Sequence, residues 1–479
     1  MKKFISLFLI TVLIFGLCAC GGSSKAENKG LQVGFDRQSI LPTKMGVQIA
    51  GGDAAARLSE GFLDEVSTTC IAFSKDGQTY LVYTCDFMVV YASIVDPVKA
   101  AIKAKTEVPT ENILFNCTHT HSGVNILSTN WDGGKEYRDL FSKQCVKAAE
   151  NAIADMSSAT ISYGSTQTEG MTFVRHYKKV DGTTYGNGHG TWNGEHTQLA
   201  GHMYEADQEL QLIKFTRADE TKKDIIIASF PSHATTVNGT NMKDLSACYP
   251  GAFRAAMEQT GVHCAFFQGA SGDQVPTSKI PSLNAVYPQN HKLYGEKLAE
   301  YAKSIQLTPM DDSKLVFSRW EYRGNSMKEG TEDIQRLVQA KELVALSSQM
   351  GGYSHPDVTA KVNEYGFSSW LEASGLVSRA NYEETQKMYL VAMQLGSEVS
   401  MVFAPYEMFG MHGTYIKENS PFAMDFIVTC SEDYQGYFPH IEGCEENFYE
   451  YDVTHYERGT GEKLAELYAA KLTEMKNAG

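Results

Sequence analysis

The run Asn116-Cys117-Thr118-His119-Thr120-His121-Ser122-Gly123 sets two imidazoles two residues apart at the end of an apolar stretch. On an extended strand, side chains at i and i+2 share a face. The spacing therefore predicts that His119 and His121 project together, where Ser122-Gly123 lets the chain turn away. Two imidazoles so placed suit a metal ligand beside a second polar group, or an acid–base pair; ordinary part-buried histidines are the plain alternative. His233 follows a second apolar run, IIIASFPSHATTVNG, and opens a polar loop. Glu407 follows a third, VSMVFAPYEMFG, where a carboxylate at a helix start would serve equally, since the helix dipole favours it. Strand ends that open into small polar loops are where α/β proteins build their sites. Tyr437, within DYQGYFP, has no distinguishing spacing of its own.

The elements that must position these residues can be read from periodicity and turn signals. Two β-rich runs between Val66 and Val90 flank Lys75-Asp76-Gly77-Gln78, which predicts a hairpin. A helix over SIVDPVKAAIKAKT, the strand ENILFNC, a helix over 136–156 and the strand ATISYGSTQT follow. A Gly-, His- and Asn-rich stretch at 181–204 reads as a long loop. Strands are expected at 209–216, 224–230 and His263–Gln268, with a polar loop at 234–247 between the second and third. Helices are expected from Tyr249-Pro250-Gly251 and over 289–305, and a strand at LVFSRWEYR. Residues 328–385 have helical spacing and few candidate ligands, and read as a helical insertion. Two strands then meet at Gly396-Ser397, and GEKLAELYAAKLTEMK is an amphipathic terminal helix. Strands interleaved with helices, plus hairpins, predict an α/β fold with mixed β-sheets flanked by helices.

In chain order, THTHSG, SHATT, GASGDQVP, APYEMFG, YQGYFPH and FYEYD resemble the neutral/alkaline (non-lysosomal) ceramidase family, specifically its N-terminal catalytic domain. The resemblance runs from about residue 31 to the C-terminus, and THTHSG is its most specific block. It implies a ceramidase catalytic-domain-like fold without the family's C-terminal immunoglobulin-like domain. It also implies a zinc ion held by His119, His233, Glu407 and Tyr437, with His121, Arg175 and Tyr449 around the scissile amide. Two neutral imidazoles and one carboxylate leave Zn²⁺ enough charge to bring the pKa of a bound water from ~15.7 to about 7. The implied activity is zinc-dependent hydrolysis of the amide of an N-acyl, ceramide-like substrate. Two departures fall on the substrate side. Gln274-Val275 stands before Pro276 where the family has a Ser, and Cys248 precedes Tyr249-Pro250-Gly251 where an acid is common. They leave two alternatives open: a ligand-binding lipoprotein of reduced activity on the same fold, or a metal-dependent esterase. No GxSxG elbow or GxxxxGK[ST] phosphate loop occurs.

A net charge of −15 sets the chain against nucleic-acid phosphates, so no nucleic-acid partner is expected. Lys2 and Lys3 precede an apolar run over 4–17, too short for a comfortable membrane span. Leu17-Cys18-Ala19-Cys20 then resembles a bacterial lipobox. The expectation is a lipoprotein signal peptide over 1–19, a lipid anchor at Cys20, a flexible tether over 20–30 and a catalytic domain over 31–479. That organisation implies an exported, membrane-anchored protein acting on a small-molecule or lipid amide. None of the ten cysteines falls in a paired CxxC pattern, so most are expected as buried thiols.

Overall fold

The computed structural model describes residues 30–51, 57–127, 134–186, 196–237, 241–285, 290–446 and 448–478. The leader, Cys20 and nearly all of the tether lie outside them.

The expected hairpin forms from β2 (Ser67–Lys75) and β3 (Gln78–Cys85), with Lys75 paired to Gln78. Asp76 and Gly77 lie at φ 50° and 81°. This double positive φ is what a two-residue hairpin turn of matching twist demands, and Asp-Gly supplies it at low cost. Before it comes β1 (Gln32–Ser39); after it come β4 (Ile113–Cys117), β5 (Ser157–Gln167), β6 (Glu209–Arg217), β7 (Ile225–Phe230) and β8 (His263–Gln268). They join in the order β8-β7-β6-β5-β1-β2-β3-β4, with Thr308–Met310 as a ninth strand beside β5. Within it β3 and β4 run parallel, as do β7 and β8, and the other pairs are antiparallel. A second sheet holds β9 (Leu315–Asn325), β10 (Thr385–Leu395), β11 (Val399–Phe403) and β12 (Met424–Val428), of which only β11 and β12 are parallel.

Strict alternation along the strands decides how the sheets stack. In β2, Ile71 and Phe73 face the second sheet, while Cys70 and Ala72 face helices. In β10, Val391, Met393 and Leu395 face inward, and Leu390 and Ala392 outward. The inward sets share one fully buried core. The first sheet's outer face is covered by α1 (Ala92–Thr106) and α2 (Gly134–Asp155) on one half, and by α3 (Cys248–Glu258) and α4 (His291–Ser304) on the other. The second sheet's outer face carries the terminal helix (Thr460–Asn477) through Leu464, Tyr468 and Leu472. The result is a helix–sheet–sheet–helix sandwich, the α/β architecture of mixed sheets flanked by helices.

Between the second sheet's strands lie α5 (Ile334–Met350), α6 (Pro356–Tyr365) and α7 (Trp370–Asn381), which share a small core of their own. One expectation is corrected. The 181–204 stretch is not simply loop: Thr184–Tyr185 and Leu199–His202 flank Tyr177–Lys179 in a three-stranded sheet. Ladder bonds to a preceding segment outweigh a composition that reads as loop; residues 187–195 lie outside the described ones. All eight described cysteines are free and buried. No helix among the described residues is long and apolar enough to cross a membrane.

Candidate metal centre

The chain leaves the C-terminal ends of β4, β7 and β11 directly into the site. His119 and His121 do not sit on a strand as the spacing predicted. Strand β4 stops at Cys117, and His119 adopts a left-handed backbone at φ 59°. The two rings nevertheless meet, their Nε2 atoms 3.3 Å apart. A turn delivers what strand alternation was expected to deliver. Thr120 then bridges Ala234 in parallel, and His121 N–H donates to the Ala234 carbonyl, which brings the THTH turn beside His233. Glu407 and Tyr437 are partners in a two-residue parallel ladder, so a carboxylate and a phenol 30 residues apart emerge together.

These pieces converge. His119 Nε2 lies 3.3 Å from Glu407 Oε2, and His233 Nε2 lies 3.1 Å from the same oxygen. Tyr437 Oη is 3.4 Å from His233 Nε2. Each histidine's other nitrogen is committed: Nδ1–H of His119 donates to the Met88 carbonyl at 2.7 Å, and that of His233 to the Ser271 carbonyl at 2.7 Å. Those bonds fix the tautomers and turn both Nε2 lone pairs inward. Glu407 Oε1 accepts from Tyr434 Oη at 2.8 Å, whereas Oε2 is buried without a hydrogen-bond partner. Two lone pairs and an unsatisfied carboxylate oxygen thus face one another in a buried space, an arrangement that is costly unless a cation is shared. Ligands ~2.0–2.1 Å from a tetrahedral zinc would stand roughly 3.3 Å apart, the spacing found here. The residues fit a metal ion, and the nitrogens of His119, His121 and His233 all lie within 4.8 Å of one another.

Electrostatics follow the same logic. Burial and the neighbouring His119 and His233 hold His121 well below the ordinary imidazole value. Burial, with the Arg175 guanidinium, pushes His233 down to about 4. Where no cation is bound, Glu407 draws a proton onto His119, which overcomes its burial and rises well above the ordinary imidazole value, while Glu407 is held well below the carboxylate range in turn; a metal would take the place of that proton. Burial, then Glu407 and Tyr449, push the Tyr437 phenol well up, so that phenol is neutral unless a cation lies beside it.

Arg175 and Tyr449 come to the same place. The Arg175 guanidinium donates from Nε to Glu450 Oε1 at 2.7 Å, and from Nη2 to the Gly272 carbonyl and to Tyr449 Oη at 2.7 and 2.9 Å. Its Nη1 lies 3.4 Å from His233 Nε2. Tyr449 packs edge-on against Tyr437, ring centroids 5.4 Å apart. All seven side chains singled out in the sequence as ligands or amide-facing groups are therefore brought together.

Two contributors were not singled out: Tyr434, which holds Glu407, and Glu450, which holds Arg175. Both stood beside residues that were, Tyr434 three before Tyr437 and Glu450 one after Tyr449, yet nothing in their spacing marks them. The departures also have an explanation. With backbone carbonyls orienting His233, no acid is needed at position 248, where the Cys248 thiol instead accepts from Thr236 N–H. Gln274 is turned away into the protein, its amide donating to the Pro231 and Asp207 carbonyls, and Thr277 is exposed. Gly272 lets the loop after β8 touch the Glu407 segment: a Cβ there would sit 2.7 Å from the Glu407 carbonyl oxygen.

No family model matches the chain, and no curated protein does. Among solved structures it is similar to the neutral ceramidase of Pseudomonas aeruginosa, at 16% identity and a TM-score of 0.68 over 94% of this chain and 75% of that one. A structure described as ceramidase complexed with C2 matches at 15% identity and a TM-score of 0.68, over 94% of this chain and 76% of that one. The chain has the neutral-ceramidase fold.

Proposed function

We propose that this protein is a zinc-dependent amidohydrolase that cleaves the linear amide of an N-acyl, ceramide-like substrate. The observation that carries the reading is the inward meeting of two imidazole lone pairs and the unpartnered Glu407 Oε2, with Tyr437 at the same spacing. His119, His233, Glu407 and Tyr437 would hold the zinc, which when bound supplies an acidified water and Lewis-acid polarisation of the carbonyl. The chain's own groups do the rest. His121, half-buried and kept neutral, takes a proton at Nε2 from the attacking water and returns it to the departing nitrogen. Tyr449 Oη already accepts from Arg175, so its own O–H is free to donate to the oxygen on which charge develops. Arg175, fully charged, adds a preorganised positive field there. Likeness of fold to two ceramidase structures supports the amide class. Export as a lipoprotein anchored through Cys20 would put the site where lipid amides are met.

Metal analysis of the purified protein should give about one zinc per chain, and hydrolysis should appear with N-acyl sphingoid amides. Zinc without turnover of any N-acyl lipid, N-acyl amino acid or simple ester would leave a binding lipoprotein; turnover of esters alone would make it an esterase.

A further inference from the structure

We propose that Glu450 is a positioning residue that aims the Arg175 guanidinium, and that helices α5–α7 serve the site by holding Glu450 in place. The inference rests on the hydrolase reading and extends it to a part of the chain that contributes no ligand. Glu450 belongs to α8 (Tyr449–Asp452), a single helical turn that also carries Tyr449. Its carboxylate is fully buried and meets Arg175 Nε at 2.7 Å, with His176 Nε2 3.4 Å from the same oxygen. A guanidinium is a planar fork on a flexible stem. Fixing Nε on Glu450 and Nη2 on the Gly272 carbonyl sets its plane and leaves Nη1 toward His233. Without Glu450 the buried cation has no counter-ion among the partners of its own side chain.

One turn of helix cannot hold itself. It is backed by α7. Gly375 packs so closely on it that a Cβ would fall 2.0 Å from the Asp452 carbonyl oxygen. Arg379 Nη2 donates to the Tyr451 carbonyl at 2.8 Å, and its guanidinium lies 4.7 Å from the Tyr451 ring. Helix α7 is in turn fixed by Ala373 and Leu376 in the small core it shares with α5 and α6. A rigid path thus runs from that core through Gly375 to Glu450 and Arg175.

The test uses the full-length protein with Glu450→Gln and Gly375→Ala, the second lying outside the site in case the first does not fold. Both should retain about one zinc, with KM for an N-acyl amide within about twofold and kcat lowered roughly ten- to a hundredfold, as small misplacements cost. In an Arg175→Ala background, Glu450→Gln should cause no further loss. Independently of turnover, phenylglyoxal labelling of Arg175, located by peptide mass mapping, should be faster in both variants than in the parent. Unchanged labelling, or an additional loss in the Arg175→Ala background, would overturn the proposal. Absence of amide turnover in the parent would sink the hydrolase reading instead, and the labelling arm would still decide this one.

Discussion

At the scale of single residues, the division of labour between His119 and His121 is the sharpest expectation. On the proposed ligand set, His119→Ala and Glu407→Ala each remove an inward-facing donor and should lose most of the metal the protein holds. On the same set His121→Ala should keep the metal and lose most turnover, its Nε2 standing 3.3 Å from that of His119 and its ring only partly buried. Metal content measured beside kcat separates the two, and a metal-free His121 variant would require the assignments to be exchanged. Tyr434→Phe removes only the hydrogen bond to Glu407 Oε1. Outer partners of this kind are worth ~10–100-fold in metal affinity, so chelator competition should show zinc held about that much more weakly, and unchanged affinity would deny Tyr434 the role. The convergence of these side chains was legible only through the ordered blocks that resemble the ceramidase family, since Tyr437 has no distinguishing spacing and Glu407 reads equally as a helix-start carboxylate. Tyr434 and Glu450 were not, since a phenol three residues from a candidate ligand, or a carboxylate next to a candidate tyrosine, looks like any other until its partner is known.

At the scale of elements, the segment after β12 has to be pinned before Tyr434 and Tyr437 can be placed. Glu432 does this. Its Oε1 accepts from Phe115 N–H of β4 at 2.8 Å, and its Oε2 pairs with Lys99 of α1 at 2.6 Å and Arg319 of β9 at 2.7 Å. Cys430 and Glu432 both take left-handed backbones to make the bend. Glu432→Ala would leave Lys99, 4% exposed, without its partner, and breaking a buried pair costs ~3–5 kcal/mol. Denaturant unfolding should register a loss of that order together with weakened zinc binding; a change under about 1 kcal/mol would make the network ornamental, as surface pairs usually are. Strands and helices were readable here from alternation and from Asp76-Gly77, but the bends were not. His119 and Glu432 adopt positive φ without glycine, and a sequence gives no warning of that. The inference that His119 and His121 share a strand face failed for this reason, although the meeting of their rings did not.

At the scale of the whole molecule, the two-sheet sandwich buries more ionisable groups than its site needs, and pH reveals their balance. Burial pushes Asp425 up to about 6. Asp452 rises to about 7, driven by burial and by Glu372 and Glu450 against the opposing Arg379. A carboxyl raised on folding contributes stability that is fully present below its unfolded value near 4 and is lost as pH climbs through its folded value. The buried imidazoles of His233 and His440, both lowered to about 4, act in the opposite sense: their contribution is present above about 6.5 and fades as pH falls. The parent's profile mixes both, so the difference from an isosteric variant is the clean measurement. Asp452→Asn should match the parent in thermal midpoint near pH 4 and become progressively the more stable toward pH 7. The gap then levels off, because it grows by ~1.4 kcal/mol per pH step of one only while the unfolded chain has lost its proton and the folded one still holds it. A gap that stays constant from pH 4 to 8 would mean Asp452 ionises in the folded protein as it does in the unfolded chain. The buried end of α8, where Gly375 meets the Asp452 carbonyl, would then be open to water, and the packing that is proposed to steady Glu450 would lose its support.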